Sequence, residues 1–221
     1  MNIHAAIFFI TALLEIVLAL YVYLRNRKNE INVSFALFVF GGFLYALASA
    51  LFLSMDEGVA LFWGKMSYLG GTLAAVFFLY FSLTFPFKKL AISWLHKIAF
   101  FLPIILFTIL IFSTDTFTTS FFEENNLRYL KLGPSYDLFV IFFVCYWIWA
   151  LVNLFNKYKV SDGIHRWQLK YFLWGAVITS IIIVVFDLFL PLFDIRQFSI
   201  FAPELILIWF GFTAYILFGK R

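Results

Sequence analysis

Cysteine is almost absent from this chain, which carries Cys145 and no other cysteine among its 221 residues. A single cysteine excludes an intrachain disulfide. Cys145 lies inside an apolar run, where a free cysteine usually behaves as a small hydrophobic side chain. We therefore expect Cys145 to be buried.

Charged residues are also scarce. They make up 13% of the chain, whereas about a quarter of the residues of a soluble globular protein are charged. Hydrophobic residues account for 64% of the sequence, and the mean hydropathy is +0.98. This composition indicates that lipid is the main solvent. The net charge of +4 does not indicate a nucleic-acid partner, because membrane topology explains where the basic residues lie.

The side chains and motifs that usually carry catalysis are missing as well. The three histidines are spread over distant segments and form no His-Glu-x-x-His motif, so no metal site is predicted. The sequence has no Ser–His nucleophile arrangement, no glycine-rich phosphate loop and no soluble catalytic domain. A retinal pigment needs a lysine within its final helix, but Lys220 lies at the very end of the last apolar run. We expect neither an enzyme nor a cofactor.

Long apolar runs are what the chain has in abundance. A helix needs about 20 apolar residues to cross the hydrocarbon core of a bilayer. The sequence contains seven runs that approach or reach this length. The fold class predicted is therefore an all-α membrane protein, a single seven-transmembrane helical bundle. Its spans cover about residues 5–24, 33–53, 61–85, 95–112, 136–155, 170–190 and 200–218.

Lysine and arginine set the predicted orientation, because cytoplasmic loops carry an excess of both. Twelve of the sixteen basic residues follow the first, third, fifth and seventh runs. The N-terminus is therefore predicted to lie outside and the C-terminus in the cytoplasm. The predicted location is a cell membrane that the chain crosses several times, with membrane lipids as partners.

The second and third runs form a tight helical pair at the centre of the prediction. Only a short polar turn, 54–58, joins them, so they must pack side by side. Both carry small residues at helical spacing, which lets helix backbones approach closely in lipid. These residues are Gly42, Ala46 and Ala50 in the second run, and Ser67, Gly71 and Ala75 in the third.

The longest outer connection, about 113–135, contains the turn signal Asn125-Asn126 between two aromatic-rich stretches. This pattern is typical of a β-hairpin, which could cover the outer end of the bundle. The alternative is an irregular connector whose aromatic side chains rest at the lipid headgroups.

Ionisable residues within a membrane span are costly, so each one is a candidate for function. The sequence contains four: Glu15, Lys65, Asp187 and Glu204. Helical geometry places Glu15 near mid-membrane and the other three in the outer half of the bundle. One hypothesis is a polar outer cavity that binds a small molecule or senses protons. The other is structural, with Lys65 paired to one acid and the remaining groups at the water interface.

The order of features resembles the N-terminal seven-transmembrane sensor region of sensor histidine kinases. Three stretches carry the resemblance, and each is mostly apolar. They are 35–86, including Ala60 to Gly70 and Phe81 to Pro86; Gly133 to Phe139; and Arg166 to Tyr171. The resemblance implies a sensory input domain that passes a conformational change through its last helix to a cytoplasmic effector. It also implies the inner or plasma membrane of a prokaryote, and it supplies no ligand-binding residues.

No kinase domain follows Arg221, so the effector is expected to be either fused in a longer chain or separate. A homodimer is compatible with this reading. Two rival functions stay open at this point, a small transporter or channel and a structural membrane subunit. Uptake lost on Glu15→Gln would favour the transporter. Unchanged folding and output after neutralising Lys65, Asp187 and Glu204 would favour the structural subunit.

Overall fold

The computed structural model describes residues 3–87, 94–113, 115–124, 127–190, 193, 195 and 202–218. Within these ranges the side chains of 94–99, 187, 202–204 and 217–218 lie outside the description. The elements in chain order are α1 (Ile3–Arg25), α2 (Glu30–Ser54), α3 (Glu57–Thr84), α4 (Trp94–Ser113), β1 (Thr118–Glu124), β2 (Leu127–Leu132), α5 (Ser135–Lys159), α6 (Gly163–Ile183), continued by the π-helical segment Val184–Phe189, and α7 (Ala202–Phe218).

The described chain is a helical membrane bundle, as the sequence predicts. Five of its helices are long and apolar enough to cross a membrane, namely α1, α2, α3, α5 and α6 with the first residues of its π-helical continuation. Two shorter apolar stretches, Phe100–Ser113 and Leu205–Ile216, lie within α4 and α7. Helix α7 contacts α1, α2 and α6, so the last helix closes the bundle against the first.

The α2–α3 pair makes the most extensive helix contact in the described structure. A β-carbon added to Gly41 would lie 2.5 Å from the Ala74 nitrogen, and one added to Gly70 would lie 2.4 Å from the Tyr45 nitrogen. The closest backbone approaches therefore fall at Gly41 and Gly70. The neighbouring Gly42 and Gly71, which the sequence pattern selects, face Phe210 and Phe139 instead. Helical spacing alone does not show which of two adjacent glycines meets the partner helix.

Aromatic side chains fill the interior. The Phe38 and Phe78 rings stack with centroids 4.9 Å apart, and Trp147 lies 4.5 Å from Phe78. Trp209 of α7 packs edge-on against Phe38 at 5.5 Å. Such pairs add about 0.5–1.5 kcal/mol each beyond the burial of their area. The last helix is thus joined to α2, α3 and α5 through one continuous aromatic cluster.

The expected burial of Cys145 is wrong, because its side chain is exposed on α5. Many large apolar residues are exposed in the same way, among them Ile141 and Ile148 of the same helix. A face that points to lipid accepts apolar side chains as readily as the interior does, so an apolar run does not reveal its buried side.

The connection between α4 and α5 forms an antiparallel β-hairpin, one of the two alternatives that the sequence leaves open, with Phe121 paired to Leu130 and Glu123 to Arg128. Its turn residues, 125 and 126, lie outside the described residues. The hairpin packs on the bundle, because Leu130 joins Phe52 and Ala60 in a small apolar cluster. Of the two readings, the structure therefore has the hairpin and not the irregular connector. We call this side of the molecule the hairpin end.

Polar contacts join the helices at the opposite side, the basic end, which the Lys and Arg pattern predicts to be cytoplasmic. Ser34 of α2 lies 2.7 Å from the Thr84 hydroxyl of α3. The Asn153 amide donates to the Ser82 carbonyl at 2.7 Å. The buried Lys157 ammonium donates to three carbonyl oxygens just beyond the end of α3 and within its last turn, each at 2.8 Å: Leu83, Phe85 and Phe87.

Candidate functional site

A cavity of about 180 Å³ lies in the half of the bundle below the β-hairpin. We call it the outer cavity. Its lining comes from α1, α2, α3, α5, α6, the π-helical segment, α7 and β2, so most of the fold contributes to it. Representative lining residues are Tyr45, Tyr68, Gly71, Leu130, Trp147 and Phe210.

The walls of the outer cavity are mainly apolar, and aromatic side chains among them are held in place by their own contacts. Tyr68 and Phe139 meet edge to face with centroids 5.3 Å apart. Phe143 and Trp147 stack at 5.0 Å. The Trp147 indole donates to the Ser180 hydroxyl of α6, which fixes its orientation. A rigid, mostly apolar concave surface with a few oriented polar groups is typical of a small-molecule site.

Arg128 of β2 supplies a charged group to this lining. Its Nε donates to Glu123 Oε1 at 2.6 Å across the hairpin. Its Nη1 donates to the Phe52 carbonyl at 3.3 Å and also to the Met55 carbonyl. Both carbonyls belong to the C-terminal end of α2, where a positive charge is favourable. The guanidinium therefore fastens the hairpin over the cavity.

Glu15 lies behind the cavity wall, close to mid-helix in α1. Its side chain is 1% exposed, and Oε2 has no hydrogen-bond partner among the described residues. A β-carbon added to Gly42 would lie 3.1 Å from Glu15 Oε1 and 2.7 Å from the Phe210 ring. Gly42 and Phe210 both line the outer cavity, so the carboxyl and the cavity share these two neighbours.

The last helix carries two further buried polar atoms without a hydrogen-bond partner in the described structure, Trp209 Nε1 and Thr213 Oγ1. The Trp209 ring packs against α6 at Gly175. A β-carbon added to Gly175 would lie 2.6 Å from this ring. Unsatisfied buried polar groups cost about 1–3 kcal/mol each. The packing of α7 is thus less complete in hydrogen bonding than that of the α2–α3 pair.

Of the four ionisable side chains singled out by the sequence, the structure describes two, Glu15 and Lys65, and these two form no ion pair with each other. Lys65 is partly exposed on α3, does not line the outer cavity and forms no ion pair among the described residues. Asp187 falls in the π-helical segment and Glu204 in the first turn of α7, but both side chains lie outside the described residues. Within the described part, no group of three His, Cys, Asp or Glu could hold a metal ion.

Sequence reasoning missed Arg128 and Phe210 as site residues. The hairpin pattern does predict that Arg128 lies near Glu123, but nothing in the sequence predicts that it reaches the end of α2. Phe210 is one of 33 phenylalanines, and no local signal separates it from those that face lipid.

Comparison with known proteins adds the family. No curated protein and no solved structure resembles the chain closely enough to count as a match. Residues 7–219 match the family described as the N-terminal 7TM region of histidine kinase. The match covers nearly the whole chain and agrees with the helical membrane bundle and with the predicted multi-pass location. The chain therefore belongs to the family of N-terminal seven-transmembrane regions of histidine kinases.

Proposed function

We propose that this chain is the sensory input domain of a two-component-type signalling system and that a small molecule with a mainly apolar body, bound in the outer cavity, is its signal. The observation that carries the proposal is the cavity of about 180 Å³, to which the last helix contributes Ile206 and Phe210. In this proposal the chain is not itself an enzyme. Catalysis belongs to a cytoplasmic kinase or effector, fused or separate.

The size of the outer cavity limits the ligand. An engineered apolar protein cavity of about 150 Å³ takes up benzene. A space of about 180 Å³ therefore suits one aromatic ring or a chain of roughly six to eight carbons. The mainly apolar walls favour an apolar ligand body, and Arg128 of the hairpin offers a charged group to a polar part of the ligand.

The last helix is the element that a ligand would move. Phe210 lines the cavity and also packs edge-on against Phe38, with ring centroids 4.9 Å apart. A ligand that displaces the Phe210 ring would change how α7 packs on α2. A ligand can shift this equilibrium only by its difference in affinity for the two arrangements. A difference of about 2 kcal/mol shifts the populations by roughly thirtyfold.

Glu15 has a role in this proposal, because its carboxyl occupies the space between Gly42 and the Phe210 ring. Movement of the ring would change the surroundings of a buried, unpartnered carboxyl. Lys65, Asp187 and Glu204 stay predictions from the sequence.

Saturable binding of a small apolar probe tests the proposal. The probe is 6-bromohexan-1-ol, whose bromine quenches the fluorescence of a nearby indole such as Trp147, with the full chain in lipid nanodiscs. Gly71→Leu should abolish the saturable quenching, because a β-carbon at Gly71 has open space apart from Phe139 at 3.5 Å, and the larger side chain fills the cavity. Gly211→Leu is the matched control, since a β-carbon there meets nothing within 4 Å and the residue is exposed.

A distance measurement tests the relay. The exposed Cys145 of α5 and a second cysteine from Tyr215→Cys, exposed on α7, accept spin labels. The probe should change the label-to-label distance in the parent chain and with Gly211→Leu, but not with Gly71→Leu. Saturable binding without any distance change would contradict the relay. Linear, non-saturable quenching in every variant would contradict the binding site itself.

A further inference from the structure

The outer cavity has an uneven distribution of charge. Arg128 is the one charged residue among those described that line it. The aromatic residues Phe38, Phe143 and Trp147 line its deep part, toward the middle of the bundle. The cavity is therefore cationic at the hairpin end and apolar below.

The Arg128 guanidinium has donor capacity to spare. Nε is used by Glu123, and Nη1 by the carbonyls of Phe52 and Met55. Within the described structure no hydrogen bond is formed by Nη2. A guanidinium carries five N–H donors in a planar fork, which matches the two oxygens of a carboxylate.

The carboxylate that Arg128 holds in this structure lies outside the cavity. Glu123 does not belong to the lining, and its side chain is 53% exposed. The Arg128 side chain is 18% exposed, so the pair lies at the edge of the solvent, where ion pairs contribute about 0–1 kcal/mol. A carboxylate brought by a ligand could therefore share the guanidinium with Glu123 or replace it at low cost. The link between Arg128 and α2 would persist, because it uses Nη1.

We infer that the outer cavity selects a monocarboxylate with a short apolar tail, whose carboxylate pairs with Arg128 and whose tail contacts the aromatic floor. This inference rests on the proposed function of the cavity and adds the chemical class of its ligand. Charge-assisted hydrogen bonds are shorter and about twice as strong as neutral ones. The tail is short, because the cavity of about 180 Å³ holds only roughly six to eight carbon atoms.

The test compares three probes that share a six-carbon tail, using the same quenching measurement in nanodiscs. They are 6-bromohexanoate, 6-bromohexan-1-ol and 6-bromohexylamine, with Gly71→Leu as the background for partition into lipid. Hexanoate should bind about tenfold more tightly than the alcohol, since hydrogen bonds to charged groups contribute more than neutral ones. The amine should bind more weakly than the alcohol.

Two substitutions test whether Arg128 causes the preference for the carboxylate. Arg128→Gln should remove the difference between hexanoate and the alcohol. Because this change also loosens the hairpin, Glu123→Gln serves as an independent variant. It frees the guanidinium and should tighten hexanoate binding several-fold while leaving the alcohol unchanged.

A longer probe separates a soluble acid from a fatty acid of the membrane. The expected result is that 12-bromododecanoate binds at least tenfold more weakly than 6-bromohexanoate, because its tail exceeds the cavity. Equal affinity for the two acids would contradict the inference that the ligand has a short tail. Equal affinity for the three six-carbon probes, or tightest binding of the amine, would contradict the preference for a carboxylate. The cavity would still be a binding site. No saturable binding of any probe would remove the proposed function and this inference together.

Discussion

At the scale of single residues, Glu15 is a costly group to bury in the bundle. Its carboxyl is 1% exposed, and Oε2 has no hydrogen-bond partner among the described residues. An ionisable side chain deep in a membrane bundle is expensive, and such residues usually mark function. Stability alone would favour an apolar residue at this position.

Replacement of Glu15 by methionine distinguishes the effect of the carboxyl on stability from its effect on signalling. Glu15→Met should raise the stability of the bundle by about 1–3 kcal/mol, since it removes an unpartnered polar group without adding bulk. The same variant should lose the probe-induced distance change between α5 and α7. Thermal unfolding in detergent and spin-label distances provide the two measurements.

Glu57→Gln is the control for this change, because Glu57 is an exposed acid in the first turn of α3. It should alter stability by no more than about 0.5 kcal/mol and leave the distance change intact. A destabilised Glu15→Met protein would instead show that the carboxyl is a structural tie.

At the scale of elements, Lys157 connects the end of α5 to the end of α3. Its ammonium donates to the carbonyls of Leu83, Phe85 and Phe87, and its side chain is fully buried. These carbonyls lie where α3 ends and cannot be satisfied within the helix. The sequence assigns Lys157 to the basic loops, so this connection is a finding of the structure.

Lys157→Met should therefore destabilise the bundle by about 2 kcal/mol, because it leaves buried acceptors without donors. The control is Lys159→Met two residues later, where the ammonium lies over the Phe155 ring at 4.6 Å and the residue is exposed. That change should cost no more than about 0.5 kcal/mol. Equal losses for the two variants in a denaturant titration would refute the role of Lys157.

The elements themselves could be predicted because lipid leaves few alternatives. Every backbone polar group must be satisfied within the membrane, so long apolar runs become helices. Helix boundaries within polar sequence were harder to predict. Helix α6 begins at Gly163, in a polar segment, whereas the apolar run predicts a span only from about residue 170. Helix faces were the least predictable feature. The exposure of Cys145 and the approach at Gly41 rather than Gly42 both depend on which side of a uniformly apolar helix meets protein.

The candidate site was harder to predict than the fold for the same reason. Glu15 was selected because it is an ionisable residue within a membrane span, and it does lie against the wall of the outer cavity. Lys65 was selected by the same rule, yet it does not line that cavity. The lining consists mainly of apolar residues, many of them aromatic. The same residue types face lipid elsewhere, and only the tertiary arrangement distinguishes cavity-lining from lipid-facing residues.

At the scale of the whole molecule, the proposal depends on which side of the membrane the hairpin end faces. Ser120 lies exposed in β1 at that end, and Val160 lies exposed after α5 at the basic end. The chain crosses the membrane once between the β-hairpin and Val160, through α5. The two positions must therefore lie on opposite sides of the bilayer, whatever the orientation.

Two single-cysteine proteins, Ser120→Cys and Val160→Cys, test the orientation after Cys145→Ser removes the native thiol. The positive-inside pattern predicts that a membrane-impermeant maleimide labels Ser120→Cys in intact cells and Val160→Cys only after permeabilisation. The reverse pattern would place the outer cavity toward the cytoplasm, and a signal from outside could then no longer reach Arg128 through the hairpin end. Labelling of both proteins in intact cells would contradict the crossing by α5 and, with it, the threading of the bundle.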